Sequence, residues 1–152
     1  MKLFYFLDFT HVKKFGLPVT FDTYVKLEHG PIPSTIMNLI NTACDDIDNS
    51  ILSDTVMFET PAGTKMNRMK ALRELSEDDM KNFSMSEIST LQAVCRRFGA
   101  VNTKSIEDAS HEEAPWSQTA MLDEIPYTLA ALDSDCEVDE EEISLGLELI
   151  AA

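Results

Sequence analysis

Residues 23–36 read TYVKLEHGPIPSTI, an alternating stretch that runs into a Gly-Pro corner. Val19, Phe21, Thr23, Val25 and Leu27 alternate with Thr20, Asp22, Tyr24 and Lys26, the period-two pattern of a half-buried strand over Val19–Leu27. That pattern assigns Val25 and Leu27 to the core and Tyr24 and Lys26 to the opposite, outer face. Gly30-Pro31 then makes a corner, and Pro33-Ser34 opens a helix running to about Asn49, with Ile36, Leu39, Ile40, Ala43 and Ile47 on one face. The glycine and two prolines restrict the backbone, so the corner is first a scaffold feature that fixes strand-to-helix geometry. Tyr24, Lys26 and His29 surround it and are the candidate partner-binding residues.

Upstream, Lys2–Phe15 has helical spacing, with Leu3, Phe6, Leu7 and Val12 on one stripe. Phe4, Phe9 and Phe15 widen that stripe, which predicts a helix buried on most sides. Gly16 and Pro18 stop it. Downstream, Thr55–Thr60 and Lys65–Leu75 flank the turn-forming Pro61-Ala62-Gly63-Thr64 and predict a hairpin. Ser84-Met85-Ser86-Glu87 is a capping box, heading a helix with Ile88, Leu91, Val94, Cys95 and Phe98 inward. A short helix over Ser105–Glu112 leads to Ala114-Pro115-Trp116. Residues Ile125–Leu132 read as extended, 135–142 as acidic and mobile, and 143–151 as a short terminal helix. The expectation is an α+β fold, mainly helical, with one short strand and one hairpin. It divides into a domain over 1–132 and an acidic C-terminal tail over 133–152.

The chain has 152 residues, 44% of them hydrophobic, and a net charge of −15. All 12 lysines and arginines precede residue 105, whereas 14 of the 27 carboxylates follow it, so a near-neutral body carries an acidic C-terminal third. Binding to a phosphate backbone needs clustered cations, and no such cluster marks the sequence, which argues against nucleic acid. No apolar run reaches the length of a membrane span. Asp8 interrupts the apolar start, and no small-residue cleavage site follows, unlike a signal peptide. Cys44, Cys95 and Cys136 are odd in number and form no C-x-x-C pair, as suits the reducing cytoplasm.

Chemistry is sparse. His11, His29 and His111 are never four residues apart, as a helical metal site requires, so no metal ligands are assigned. The cysteines sit on apolar helix faces or in acidic surroundings that disfavour a thiolate. The five glycines are scattered turn and cap positions rather than a phosphate loop, and no G-x-S-x-G elbow occurs. The expectation is a non-enzyme without a cofactor. Trp116, the only tryptophan, follows a proline and reads as a buried anchor, with an exposed hot spot as the alternative.

Three segments together carry a resemblance: Lys2-Leu3-Phe4-Tyr5-Phe6-Leu7-Asp8-Phe9, then Thr23 through Pro33, then Ser110-His111-Glu112-Glu113-Ala114-Pro115-Trp116. In this order they resemble the Panacea domain, the SocA-like antitoxin family often described as phage-associated proteins. In that pattern Gly30, Pro31, Pro33, His111, Pro115 and Trp116 are the structural motif residues. The family's further helix ahead of the Lys-Leu-Phe-Tyr-like segment is not part of this sequence. The resemblance implies a non-catalytic α+β domain that binds and neutralises a protein toxin encoded by a neighbouring gene. An adapter delivering a bound protein to a protease is the alternative, with the acidic tail and its apolar end as the segment such machinery would read.

Overall fold

A computed structural model describes all 152 residues. In chain order the elements are α1 (Lys2–Phe15), β1 (Tyr24–Leu27), β2 (Gly30–Pro33), α2 (Ser34–Asp45), β3 (Val56–Glu59), β4 (Arg68–Ala71), α3 (Glu77–Met80), α4 (Met85–Phe98), α5 (Thr103–Glu112), α6 (Ala114–Ser117) and α7 (Glu140–Ala151). A 3₁₀ turn, Tyr127–Leu132, precedes α7. The fold is α+β and mainly helical, as expected, but it has two hairpins rather than one strand and one hairpin. The chain forms two units, Met1–Ser34 with Ser84–Ala152, and Thr35–Phe83.

In the first unit α1 runs through the core. Tyr5, Phe6, Phe9 and Val12 are fully buried, and Tyr24, Val94, Phe98, Ile125, Ala130 and Ile143 close around them. Asp8, His11 and Lys13 are buried too, so α1 is enclosed on most sides, although Leu3 and Phe15 at its ends stay exposed. Gly16 ends the helix in the left-handed region at φ 77°, its N–H donating to the Val12 carbonyl. Ser84 caps α4 through its hydroxyl, and Glu87 returns to the Ser84 N–H. Of the residues expected inward on α4, Val94 and Phe98 are buried, whereas Cys95 is exposed.

The first hairpin corrects the sequence reading twice. Gly30–Pro33 is a strand, paired antiparallel to β1 through Tyr24↔Pro33, Val25↔Ile32, Lys26↔Pro31 and Leu27↔Gly30, with only Glu28 and His29 in the turn. Two prolines are tolerated there for a geometric reason. Ser34 N–H donates to the Thr23 carbonyl at 2.8 Å, and ladder alternation makes Val25–Ile32 and Leu27–Gly30 the bonded pairs. Pro31 and Pro33 fall at the intervening positions, where an N–H would point away from β1, so no ladder bond is lost. Both prolines are buried, and an edge without donors leaves none unsatisfied there. On the other side of β1, Lys26 N–H donates to Asp123 O, Leu122 N–H to Lys26 O and Ile125 N–H to Tyr24 O.

The faces of β1 are the reverse of the expectation. Tyr24 and Lys26, expected outward, are 1% and 8% exposed, while Val25 and Leu27 are half-buried. The strand itself is shorter than Val19–Leu27, because Val19 and Thr20 turn back to bond Asp8.

The C-terminal segment is also more engaged than expected. Ile125–Leu132 is not extended but turns into the 3₁₀ segment after Pro126. From 133 onward the chain lies against α1: Glu137 N–H donates to the Lys13 carbonyl at 2.7 Å, and Asp133 and Asp135 reach the Lys13 ammonium. Asp139 and Glu142 form a capping box on α7, and Ile143 is fully buried. Gly146 faces the α1 corner, where an added Cβ would lie 3.0 Å from Leu17 Cδ2, so the close approach of α7 uses the missing side chain.

In the second unit α2 ends at Asp45, before the expected Asn49, and buries Ala43. The expected hairpin is present, β3 pairing with β4 through Val56↔Ala71, Met57↔Lys70, Phe58↔Met69 and Glu59↔Arg68. All four β4 residues are exposed.

Candidate functional site

The hairpin β1–β2 is held from beneath by two buried polar systems. The first is centred on Asp8, which is fully buried on α1. Its carboxylate accepts from Val19 N–H at 2.8 Å, Thr20 N–H at 2.7 Å, the Thr20 hydroxyl and the Tyr24 hydroxyl at 2.7 Å. Tyr127 donates mainly to the Asp22 carbonyl at 2.6 Å and approaches Asp8 at 3.4 Å. No lysine or arginine pairs with Asp8, so neutral donors alone carry its solvation. Burial and then the Asp8 charge push both phenols far above their ordinary range, so Tyr24 and Tyr127 remain donors.

The second system is built around Trp116. Pro115 is buried at the start of α6 and sets the ring under the hairpin. The Trp116 indole N–H donates to the Leu27 carbonyl at 3.3 Å, His111 stacks on the ring at 3.7 Å and 14°, and the Lys26 ammonium lies 3.9 Å from the ring centroid. Lys26 also donates to the Thr119 carbonyl at 2.8 Å, so its charge is spent inside the protein. Trp116 is half-buried against the core, closer to the anchor reading than to an exposed hot spot. Desolvation lowers the His111 pKa below its ordinary value, and its Nε2 is buried without a partner.

A third cluster lies at the far end of α1. The buried Lys13 ammonium meets Glu113 at 3.0 Å, Asp133 at 2.9 Å and Asp135 at 3.0 Å. Burial would lower its pKa, but Glu113 and the two aspartates outweigh it and raise the value. Desolvation raises Glu113 despite Lys13, and the fully buried Tyr5 hydroxyl faces Glu113 without closing a hydrogen bond of ordinary geometry. Glu113 sits one residue from α6, so this pair ties the Pro-Trp segment to α1.

These systems leave the hairpin tip as the exposed feature. His29 is 78% exposed, with Nδ1 3.5 Å from Glu107 on α5, not bonded within its own turn. Burial pulls Glu107 up, but His29 and Lys104 outweigh it and hold the carboxyl below its ordinary value. Gly30 takes φ 118°, and a Cβ there would lie 3.0 Å from Lys2 Cε and 3.2 Å from Ser110 Oγ. The positive φ favours glycine, and a Cβ would in addition press on the Lys2 and Ser110 side chains. Beside the tip opens a groove of about 550 Å³ lined by Lys2, Leu27, His29, Ile32, Met121 and Leu122. Leu122 is held at φ 71°, in the left-handed region, while its side chain is 72% exposed.

Of the three predicted contact residues, then, only His29 is presented to solvent; Tyr24 and Lys26 support it. Gly30, Pro31, Pro33, His111, Pro115 and Trp116 are brought together as the frame. Met121 and Leu122 carry no local signal in the sequence, because Leu122 meets β1 only through its N–H bond to the Lys26 carbonyl, a contact remote in sequence. The groove is lined mainly by apolar side chains, with Lys2, Glu28 and His29 as its polar residues.

The family model of antitoxin SocA-like proteins with the Panacea domain matches residues 1–117, which contain all three motif segments. No curated protein and no solved structure matches the chain.

Proposed function

The chain belongs to the antitoxin SocA-like, Panacea-domain family, and from that membership we propose that it neutralises a protein toxin, encoded by a neighbouring gene, through direct binding. The family match over residues 1–117 is the observation that carries this reading. The arrangement of the hairpin supports it. The tip is braced by Asp8 and Trp116 from within and presents His29, Leu122 and the adjoining groove outward. Leu122 lies beside the groove, exposed and held in a costly backbone region, which favours it as a contact position.

The mechanism is occlusion. The rigid tip enters the toxin's surface, apolar side chains of the toxin fill the groove, and Lys2 and His29 orient polar groups at its rim. A stable complex of this kind buries roughly 1,600 Å² in total, with few anchors supplying most of the energy. Tyr24 and Lys26 act by holding the hairpin, not by touching the toxin. The test is co-expression: each flanking open reading frame is induced alone and with this protein. The reading predicts one frame that arrests growth and is rescued. Absence of rescue from every toxic neighbour contradicts it.

A further inference from the structure

The second unit carries a surface that toxin binding at the first hairpin leaves unused. In a chain of net charge −15, residues 56–73 hold Lys65, Arg68, Lys70 and Arg73 against Glu59 alone. Lys70 is paired with Glu59 at 2.8 Å and Arg73 with Asp79 at 2.6 Å, whereas Lys65 and Arg68 have no ion pair. Around them Met66 and Met69 are 77% and 45% exposed. Methionine is flexible and polarisable, and it adapts to a partner's shape.

The backbone of β4 is open as well. Leu72 N–H donates to the Thr55 carbonyl at 2.9 Å, which makes Met57–Lys70 and Glu59–Arg68 the next bonded pairs of the ladder. The N–H groups of Met69 and Ala71 therefore point away from β3, along an edge whose four residues are all exposed. The corresponding outward positions of β2 are Pro31 and Pro33, which have no N–H to offer. One hairpin has a sealed edge and the other an available one.

We propose that the outer edge of β4 accepts an acidic, extended segment of a partner protein as a third strand. Its carboxylates meet Lys65 and Arg68, and its apolar side chains meet the exposed methionines. This is strand addition, with main-chain bonds supplying affinity and the local positive charge selecting the partner against an otherwise acidic molecule. It uses none of the residues assigned to toxin contact, so either assignment can fail without the other.

The test titrates the full chain into a fluorescein-labelled ten-residue peptide of alternating Glu and Val, with a Lys-for-Glu counterpart as control. The acidic peptide is expected to bind saturably, and the Met69 and Ala71 amides to become protected from hydrogen exchange. Met69→Pro removes one outward N–H while sparing the bonds to β3, and is expected to weaken binding by about tenfold or more. The double variant Lys65→Glu, Arg68→Glu leaves the backbone alone and is expected to do the same. Absent binding, equal binding of both peptides, or binding without protection of those two amides overturns the proposal. So does a dimer of this chain that is lost on Met69→Pro, since the occupant is then a second copy.

Discussion

The Lys26 ammonium sits 3.9 Å from the centroid of the Trp116 ring, and the same nitrogen donates to the Thr119 carbonyl at 2.8 Å. A lysine on a four-residue strand is thereby turned into an internal brace between β1 and α6. Lys26→Met keeps the aliphatic stem but removes the cation and leaves the Thr119 carbonyl without its partner. The expected loss is about 2–3 kcal/mol of unfolding free energy, read by urea denaturation. An unchanged midpoint contradicts the brace.

Asp8 collects donors that the chain supplies from three places, Val19, Thr20 and Tyr24. Asp8→Asn substitutes a donor for one acceptor and turns it toward groups that are themselves donors. A loss of about 2–4 kcal/mol is expected, and about 1.5–3 kcal/mol for Tyr24→Phe. Because both residues act on the same bond, the double variant loses less than the sum. Full additivity in a double-mutant cycle counts against the hub.

His111 stacks on Trp116 with a buried, unpartnered Nε2, and its folded pKa lies below the ordinary 6.5 because burial disfavours the charged ring. Glu107 and Asp108 pull the other way, while Lys104 and Lys2 add to the depression. A depressed histidine binds fewer protons folded than unfolded, so its contribution is complete above pH 6.5 and is lost as pH falls through the folded value. His111→Phe keeps a ring on Trp116 and removes the titration. The difference in stability between the two proteins is expected to move in favour of the variant on acidification below about 6.5; a flat difference curve contradicts this.

Gly30 combines φ 118° with side-chain atoms of Lys2 and Ser110 at 3.0 and 3.2 Å from the position of an added Cβ. Gly63 also has positive φ, at 78°, but open space around it. Gly30→Ala is expected to cost about 2–3 kcal/mol and Gly63→Ala about 1 kcal/mol. Equal costs in thermal or chemical melts show that crowding at the hairpin is not limiting.

What could be read from sequence was local. The bounds of α1, the Ser84–Glu87 capping box and the β3–β4 hairpin follow from periodicity, caps and turn residues, and the structure has them. The first hairpin is not legible locally: Gly30-Pro31 has the pattern of a corner, and two prolines fit a strand only because their positions face away from the partner, which the pairing alone decides. The face of β1 failed because Tyr24 and Lys26 are long amphipathic side chains. Their rings and stems bury well once Asp8, Trp116 and Thr119 receive the polar ends, and those partners lie far away in sequence. The acidic C-terminal segment read as solvated because its buried cation, Lys13, is more than a hundred residues earlier. Exposed His29 was visible as a turn residue; the groove beside it exists only through the pairing of 122–125 with β1.

Co-purification separates neutralisation by direct contact at the braced hairpin tip from indirect rescue. A rescued toxic neighbour is expressed with tagged wild-type protein and with Leu122→Arg, which places a cation in the groove while leaving the core untouched. The expected result is a complex that survives gel filtration with the wild type and is lost, together with growth rescue, in the variant, whose own melting profile is unchanged. Rescue without any complex, or an undiminished complex with Leu122→Arg, contradicts it.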